Sequence, residues 1–152
     1  MTKILFICHG NICRSVAAEM VMRALAPGWA VASAATTAEE LGNDIYPPMR
    51  KVLAERSIPM VHHCVRMTTT SDYDKYDYII GMDEENRADL LRIYHGDPAG
   101  KISLLMEWAG ESREVSDPWY TRDFNRALND IERGCRALRD KLGGCADGHG
   151  SV

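Results

Sequence analysis

Apolar residues come in short blocks through most of the chain and settle into a helical period only near its end. Lys3 to Ile7 is a short apolar run, the pattern of a strand buried on both faces. Val16, Ala17, Met20, Val21, Ala24 and Leu25 then recur at helical spacing, with Ser15 as the expected N-cap and Pro27-Gly28 as the stop. Trp29 to Ser33 reads as a second strand. Ala34 to Tyr46 is small and polar, contains Gly42-Asn43, and reads as a long surface loop. Pro47-Pro48 opens a helix through Met49, Val52 and Leu53. Tyr78 to Met82 is a third strand, and Asp83 caps a helix that reaches Leu91. Ile102 to Leu105 is a fourth strand, and Glu111 to Tyr120 a polar loop. Asp123 to Leu142 is a long amphipathic helix carrying Phe124, Leu128, Ile131, Cys135, Leu138 and Leu142. Gly143 to Val152 has little to bury and is expected to fray. Alternating strands and helices predict an α/β fold with a parallel sheet covered on both faces. The expected organisation is one domain over residues 1–142 and a flexible tail over 143–152.

Composition narrows the partners. The chain has 152 residues, 45% hydrophobic and 26% charged, and a formal net charge of −4. That length suits one domain with its own core. An acidic chain without a basic face argues against nucleic acid. The apolar run at Ile4 is far too short for a membrane span or a signal h-region, so a cytoplasmic protein is expected. Five cysteines, an odd number with no C-x-x-C pair, fit neither a disulfide scaffold nor a zinc site. His62-His63-Cys64 is more simply read as packing than as a metal site, because adjacent side chains rarely converge on one ion. No cofactor and no metal are expected.

The chemistry concentrates in Cys8-His9-Gly10-Asn11-Ile12-Cys13-Arg14-Ser15. A strand ends at Cys8 and a helix begins near Ser15, so the turn between them aims backbone N–H groups at a common centre, where an anion is favoured. Gly10 leaves room for close approach of an oxyanion, and Asn11 tolerates left-handed backbone. Arg14 offers a planar fork for two phosphate oxygens. The same surroundings favour the thiolate of Cys8, and Ser15 is near enough to donate to it. The spacing alone is weak, and an isolated cysteine is more often a small core residue. Here strand, glycine, asparagine, arginine and helix start all agree. A phosphatase also needs a general acid, and Asp117 of Ser116-Asp117-Pro118-Trp119-Tyr120 fits best. Pro118 stiffens that turn, and Trp119 and Tyr120 offer flat walls for an aromatic group.

Through these residues the chain, from Ile4 to about Leu142, resembles the low-molecular-weight protein tyrosine phosphatases. Val31 to Thr36, Gly42-Asn43, Ile58-Pro59-Met60 and Met82-Asp83-Glu84 look like further stretches of that family. The resemblance implies a three-layer fold with a four-stranded parallel sheet, a phosphate-binding loop after the first strand, and metal-free hydrolysis of phosphotyrosine in two steps. Cys8 would be the nucleophile that carries a phosphocysteine, Arg14 the phosphate clamp, and Asp117 the acid and later the base. His9, Gly10, Asn11, Ile12, Cys13 and Ser15 would form the binding loop, Glu39, Trp119 and Tyr120 the walls, and Ser33 and His62 a supporting network. His63 is the alternative to His62, because Arg66 falls one position late against the family pattern. The implied partners are phosphotyrosine-containing proteins, with a tyrosine kinase as a candidate and a monomer as the expected state.

Three departures from the family pattern stand out. Val16 replaces a proline, Glu39 stands where many members have an aromatic wall, and Asp44-Ile45-Tyr46 looks like extra length. An acidic wall would disfavour acidic phosphopeptides, and Tyr46 is a candidate for the missing aromatic wall. Three rival readings remain open. Arsenate reductase would need further cysteines, absent from Gly81 to Leu91. Protein-arginine phosphatase usually carries threonine where Ile12 stands. A non-catalytic phosphate-binding module would not need Cys8, Arg14 and Asp117 together. Cys13, in the same loop as Cys8, is expected to form a reversible disulfide with it under oxidation.

Overall fold

A computed structural model describes the backbone of residues 1–150 and the side chains through residue 143. Four strands form one parallel sheet: β1 (Lys3–Cys8), β2 (Ala30–Ala35), β3 (Tyr78–Gly81) and β4 (Ile102–Leu104), in the spatial order β2-β1-β3-β4. The helices are α1 (Arg14–Leu25), α2 (Pro47–Glu55), α3 (Thr70–Lys75), α4 (Glu84–Ile93), α5 (Leu105–Trp108), α6 (Pro118–Thr121) and α7 (Phe124–Gly150). Among the described residues no helix is long and apolar enough to cross a membrane.

The pleat of β1 explains its unbroken apolar run. Ile4, Phe6 and Cys8 face one layer, where α1, α2, α5 and α7 supply Val16, Met20, Leu53, Leu105, Leu128 and Ile131. Leu5 and Ile7 face the other, with Ile79, Leu90, Tyr94 and Ile102. A strand between two helical layers needs apolar side chains at every position. α1 is buried from Arg14 to Met22, with Arg14, Ser15 and Glu19 the polar residues among otherwise apolar ones. The close approach of α7 to α5 depends on Gly134, where a Cβ would stand 2.5 Å from Leu105 Cγ.

Several expectations change at the ends of elements. α1 starts at Arg14 with Cys13 at its N-cap, not at Ser15, whose hydroxyl serves the neighbouring loop. The last helix carries helical backbone through Gly150, and residues 151–152 of the expected tail lie outside those described. β2 runs to Ala35, two residues into the expected loop. Its outer edge is covered by the segment after α2: Ala35 N–H donates to Arg66 O at 2.8 Å, and Thr68 N–H to Ala35 O at 2.8 Å. That strap carries His63 toward the C-terminal end of the sheet.

Strand order reverses direction between β1 and β3, and ligands of open parallel sheets bind at the carboxyl ends flanking such a point. Cys8 ends one of those strands, and Asp83 follows the other by one residue beyond Met82.

Candidate active site

A cleft of about 300 Å³ opens at this point and is lined by every residue from Cys8 to Arg14. Its remaining walls are Glu39, Glu40, Glu85, Asp117, Trp119 and Tyr120. The loop and the Asp117 turn, far apart in sequence, therefore share one cavity.

The sulfur of Cys8 is held by two groups. Ser15 Oγ lies 2.9 Å away, and Asn11 N–H donates to Sγ at 3.2 Å. Asn11 Nδ2 donates to Ser15 Oγ at 2.8 Å, which occupies an acceptor position and leaves the hydroxyl proton for the sulfur. The relay runs amide to hydroxyl to sulfur. Asn11 can do this because its backbone is left-handed, at φ 60°, a conformation that asparagine adopts more readily than most residues. Its carbonyl accepts from His63 Nε2 at 2.8 Å, so that ring nitrogen carries a proton.

His63 thus stands where His62 was expected. In the extended strap neighbouring side chains alternate, so His63 is buried while His62 and Cys64 are exposed. Ser33 is buried but turns elsewhere: its hydroxyl donates to Glu19 Oε1 on α1 at 2.6 Å, which ties β2 to α1 rather than to the loop. Glu19 in turn pairs with Arg23 at 2.9 Å.

Arg14 is almost fully buried, and it is fixed from three sides. Nη1 donates to Val115 O at 3.2 Å, while Nη2 meets Asp83 Oδ2 at 2.9 Å and Asp117 Oδ2 at 3.4 Å. Burial alone would lower its pKa, but the negative charges of Cys8, Asp117 and Asp83 outweigh that and hold it above its ordinary value. A guanidinium has five N–H groups, so these contacts leave donors for an anion. From sequence Asp83 is expected only as a helix cap, and it is one: its Oδ1 accepts from Asn86 N–H at 2.8 Å. Its second oxygen orients Arg14. The signal that could have found it is positional, a carboxylate just past the strand beside β1. Gly81 makes this corner possible, since a Cβ there would stand 2.9 Å from Asn86 Cβ.

Asp117 caps α6 by accepting from Trp119 N–H at 3.0 Å, and its side chain is one-third exposed. The loop before it is anchored to α7 by a two-pronged ion pair from Arg113 to Asp130, at 2.9 and 2.7 Å. Behind the cleft, Tyr46 packs on Trp119 with ring centroids 5.4 Å apart. Arg122 lies over Tyr46, Trp119 and Phe124 at 5.9, 5.9 and 5.6 Å. Tyr46 is not among the cleft-lining residues, so it supports the Trp119 wall rather than replacing one. Its backbone N–H also donates to Ile12 O at 2.9 Å, which joins this aromatic group to the loop.

Cys13 is buried at the N-cap of α1. Burial, then the charges of Cys8 and Asp117, push its thiol up to about 12, so it stays protonated at neutral pH. Chemically, the cavity combines a sulfur held by hydrogen-bond donors, a fixed guanidinium, and a partly exposed carboxylate beside it.

Comparison with known proteins agrees with this arrangement. The family described as low molecular weight phosphotyrosine protein phosphatase matches residues 3–145. A human protein of that name is 36% identical over 149 residues, covering 91% of this chain and 94% of its own. The crystal structure of YfkJ from Bacillus subtilis superposes with a TM-score of 0.90 at 30% identity, covering 95% and 96% of the two chains. The low molecular weight protein tyrosine phosphatase from Streptococcus pyogenes superposes with a TM-score of 0.86 at 35% identity, covering 93% of each. On its loop, its sheet order and these matches, the chain belongs to the low molecular weight phosphotyrosine protein phosphatase family.

Proposed function

We propose that this protein hydrolyses phosphotyrosine in proteins through a phosphocysteine intermediate. The observation that carries this is the hydrogen-bond relay from Asn11 through Ser15 to Cys8 Sγ, at 2.8 and 2.9 Å. A buried core cysteine has no need of two converging donors, whereas a thiolate does.

In the first step Cys8 Sγ attacks phosphorus, and an S–P bond forms as the P–O bond to the tyrosine ring breaks. Asp117, protonated at this stage, gives its proton to the departing phenolate oxygen. Arg14 and the loop amides hold the equatorial oxygens as charge gathers on them. In the second step Asp117, now a carboxylate, takes a proton from water as that water attacks phosphorus. The S–P bond breaks, and Ser15 and the Asn11 N–H receive the thiolate. Trp119 and Tyr120 flank the ring of the leaving group. His63 holds the backbone of Asn11 and is a positioning residue.

The test is turnover of phosphotyrosine, phosphoserine and phosphoarginine peptides at pH 5 to 8 in the presence of a chelator. Rapid quenching is followed by mass spectrometry of the loop peptide. Selective phosphotyrosine turnover with phosphate trapped on Cys8, and neither in Cys8→Ser, is the expected result. Preference for phosphoarginine would move the substrate assignment. Phosphate binding without turnover would reduce the protein to a binding module.

A further inference from the structure

Outside the phosphate cradle the mouth of the cleft is negative. Its lining includes Glu39, Glu40 and Glu85, and Arg14 is the sole lysine or arginine among the lining residues. Arg14 already faces Asp83 and Asp117 at 2.9 and 3.4 Å. The glutamates come from both sides of β1: Glu39 and Glu40 follow β2, and Glu85 follows β3.

Two of the three are fixed in place. His9 Nε2 lies 2.9 Å from Glu39 Oε2, and a carboxylate can only accept, so the ring nitrogen donates. This contact fixes Glu39 at the mouth. Glu40 lies against the loop, since a Cβ on Gly10 would stand 3.5 Å from its Cγ, and Asn43 Nδ2 donates to its carboxylate at 2.8 Å. Glu85 has a local reason to be acidic, in the first turn of α4, where the helix dipole favours negative charge. Glu39 and Glu40 have no such reason.

A phosphotyrosine side chain arrives with about two negative charges of its own. Carboxylates around its approach repel it unless the flanking residues bring positive charge. We infer that this protein is selective for phosphotyrosine flanked by lysine or arginine, with Glu39, Glu40 and Glu85 as the specificity-determining side chains. This rests on the hydrolase reading above and adds the class of protein sequence it serves.

The test compares kcat/KM for matched phosphotyrosine peptides with Lys/Arg or Asp/Glu flanks, with p-nitrophenyl phosphate as a substrate that has no flanks. For the wild type the basic peptide is expected to lead the acidic one by about tenfold at low salt. That lead should shrink to about twofold at 0.3 M salt, as exposed charges are screened. In a variant combining Glu39→Gln, Glu40→Gln and Glu85→Gln, the ratio should approach one even at low salt. Equal turnover of both peptides by the wild type, with p-nitrophenyl phosphate turned over normally, overturns the proposal and leaves the hydrolase reading intact. A basic preference that persists in the triple variant overturns the role given to these glutamates. Absence of turnover on every aryl phosphate overturns the hydrolase reading itself and this proposal with it.

Discussion

The two halves of the cleft are built differently. The Cys8–Arg14 half is mostly buried: Cys8, Asn11, Cys13, Arg14 and Ser15 are all buried, and Asn11, Ser15, His63 and the Cys8 sulfur are linked by hydrogen bonds. The Asp117 half is open. Trp119 is 52% and Tyr120 82% exposed, and the turn is held by a cap, an ion pair at Arg113 and the stack under Trp119. The difference fits the role we propose for each half. Stabilising an anion requires donors that do not reorganise, so their geometry is set by packing beforehand. Delivering a proton to a leaving group on a large protein requires access from outside.

That contrast can be broken most severely at the open half. Asp117→Asn should slow hydrolysis of phenyl phosphate by about 10³-fold. The loss should be far smaller with p-nitrophenyl phosphate, whose leaving group departs without a proton. Steady-state kinetics on the two esters decide it, and equal losses on both would remove Asp117 from the acid role.

The buried half can be probed through Cys13. Peroxide converts the Cys8 thiolate to a sulfenic acid, and attack by the Cys13 thiolate on that sulfur forms the disulfide and expels hydroxide, which takes a proton from solvent to become water. With Cys13 raised to about 12, its thiolate fraction grows about tenfold per pH unit through the neutral range. Disulfide should therefore gain on sulfinic acid by about a hundredfold from pH 7 to pH 9. Peptide mapping at the two pH values measures the ratio, and a ratio independent of pH would rule out capture by Cys13. The same shift bears on stability. The folded state keeps the Cys13 proton from the ordinary 9.0 up to about 12 while the unfolded chain releases it, so stability should decline across that window as pH rises.

Asn11 separates backbone from relay. Asn11→Gly keeps the left-handed turn but removes the donor to Ser15, and should cost about tenfold in kcat with little loss of stability. Asn11→Ala loses both, with about 1–2 kcal/mol of added destabilisation in denaturant melts. If the two variants behave alike, the left-handed backbone is not what selects asparagine. The smallest effect is expected at the aromatic support. Arg122→Met removes the cation from three rings and should raise KM about threefold with kcat nearly constant. A fall in kcat alone would mean that Arg122 positions Asp117 rather than the wall.

Much of this molecule was legible in its sequence, because the informative residues answer to local rules. Ile4 to Ile7 must be apolar on both faces, and Gly10, Asn11 and Arg14 each suit a tight anion loop. What escaped depends on neighbours distant in the chain. α3 (Thr70–Lys75) is polar, and α5 (Leu105–Trp108) follows β4 directly and was hidden in its apolar run. His62 and His63 could not be separated, because which of two adjacent residues faces inward is set by how the strap pairs with β2. Ser33 is expected to support the loop, but its hydroxyl bonds to Glu19, a partner on α1. The second role of Asp83 emerges only when β3 is laid beside β1.

The position of β1 has one more consequence. It is the strand that ends at Cys8, and it is bonded along its length to β2 and along most of it to β3. Amides so enclosed exchange with solvent deuterium only when the whole domain opens. An oxyanion bound in the loop stabilises that global state, and its grip should slow exchange at Ile4 or Leu5, near the far end of the strand, as surely as at Cys8. Occupancy of the cleft can thus be read as deuterium uptake from residues that never touch the ligand.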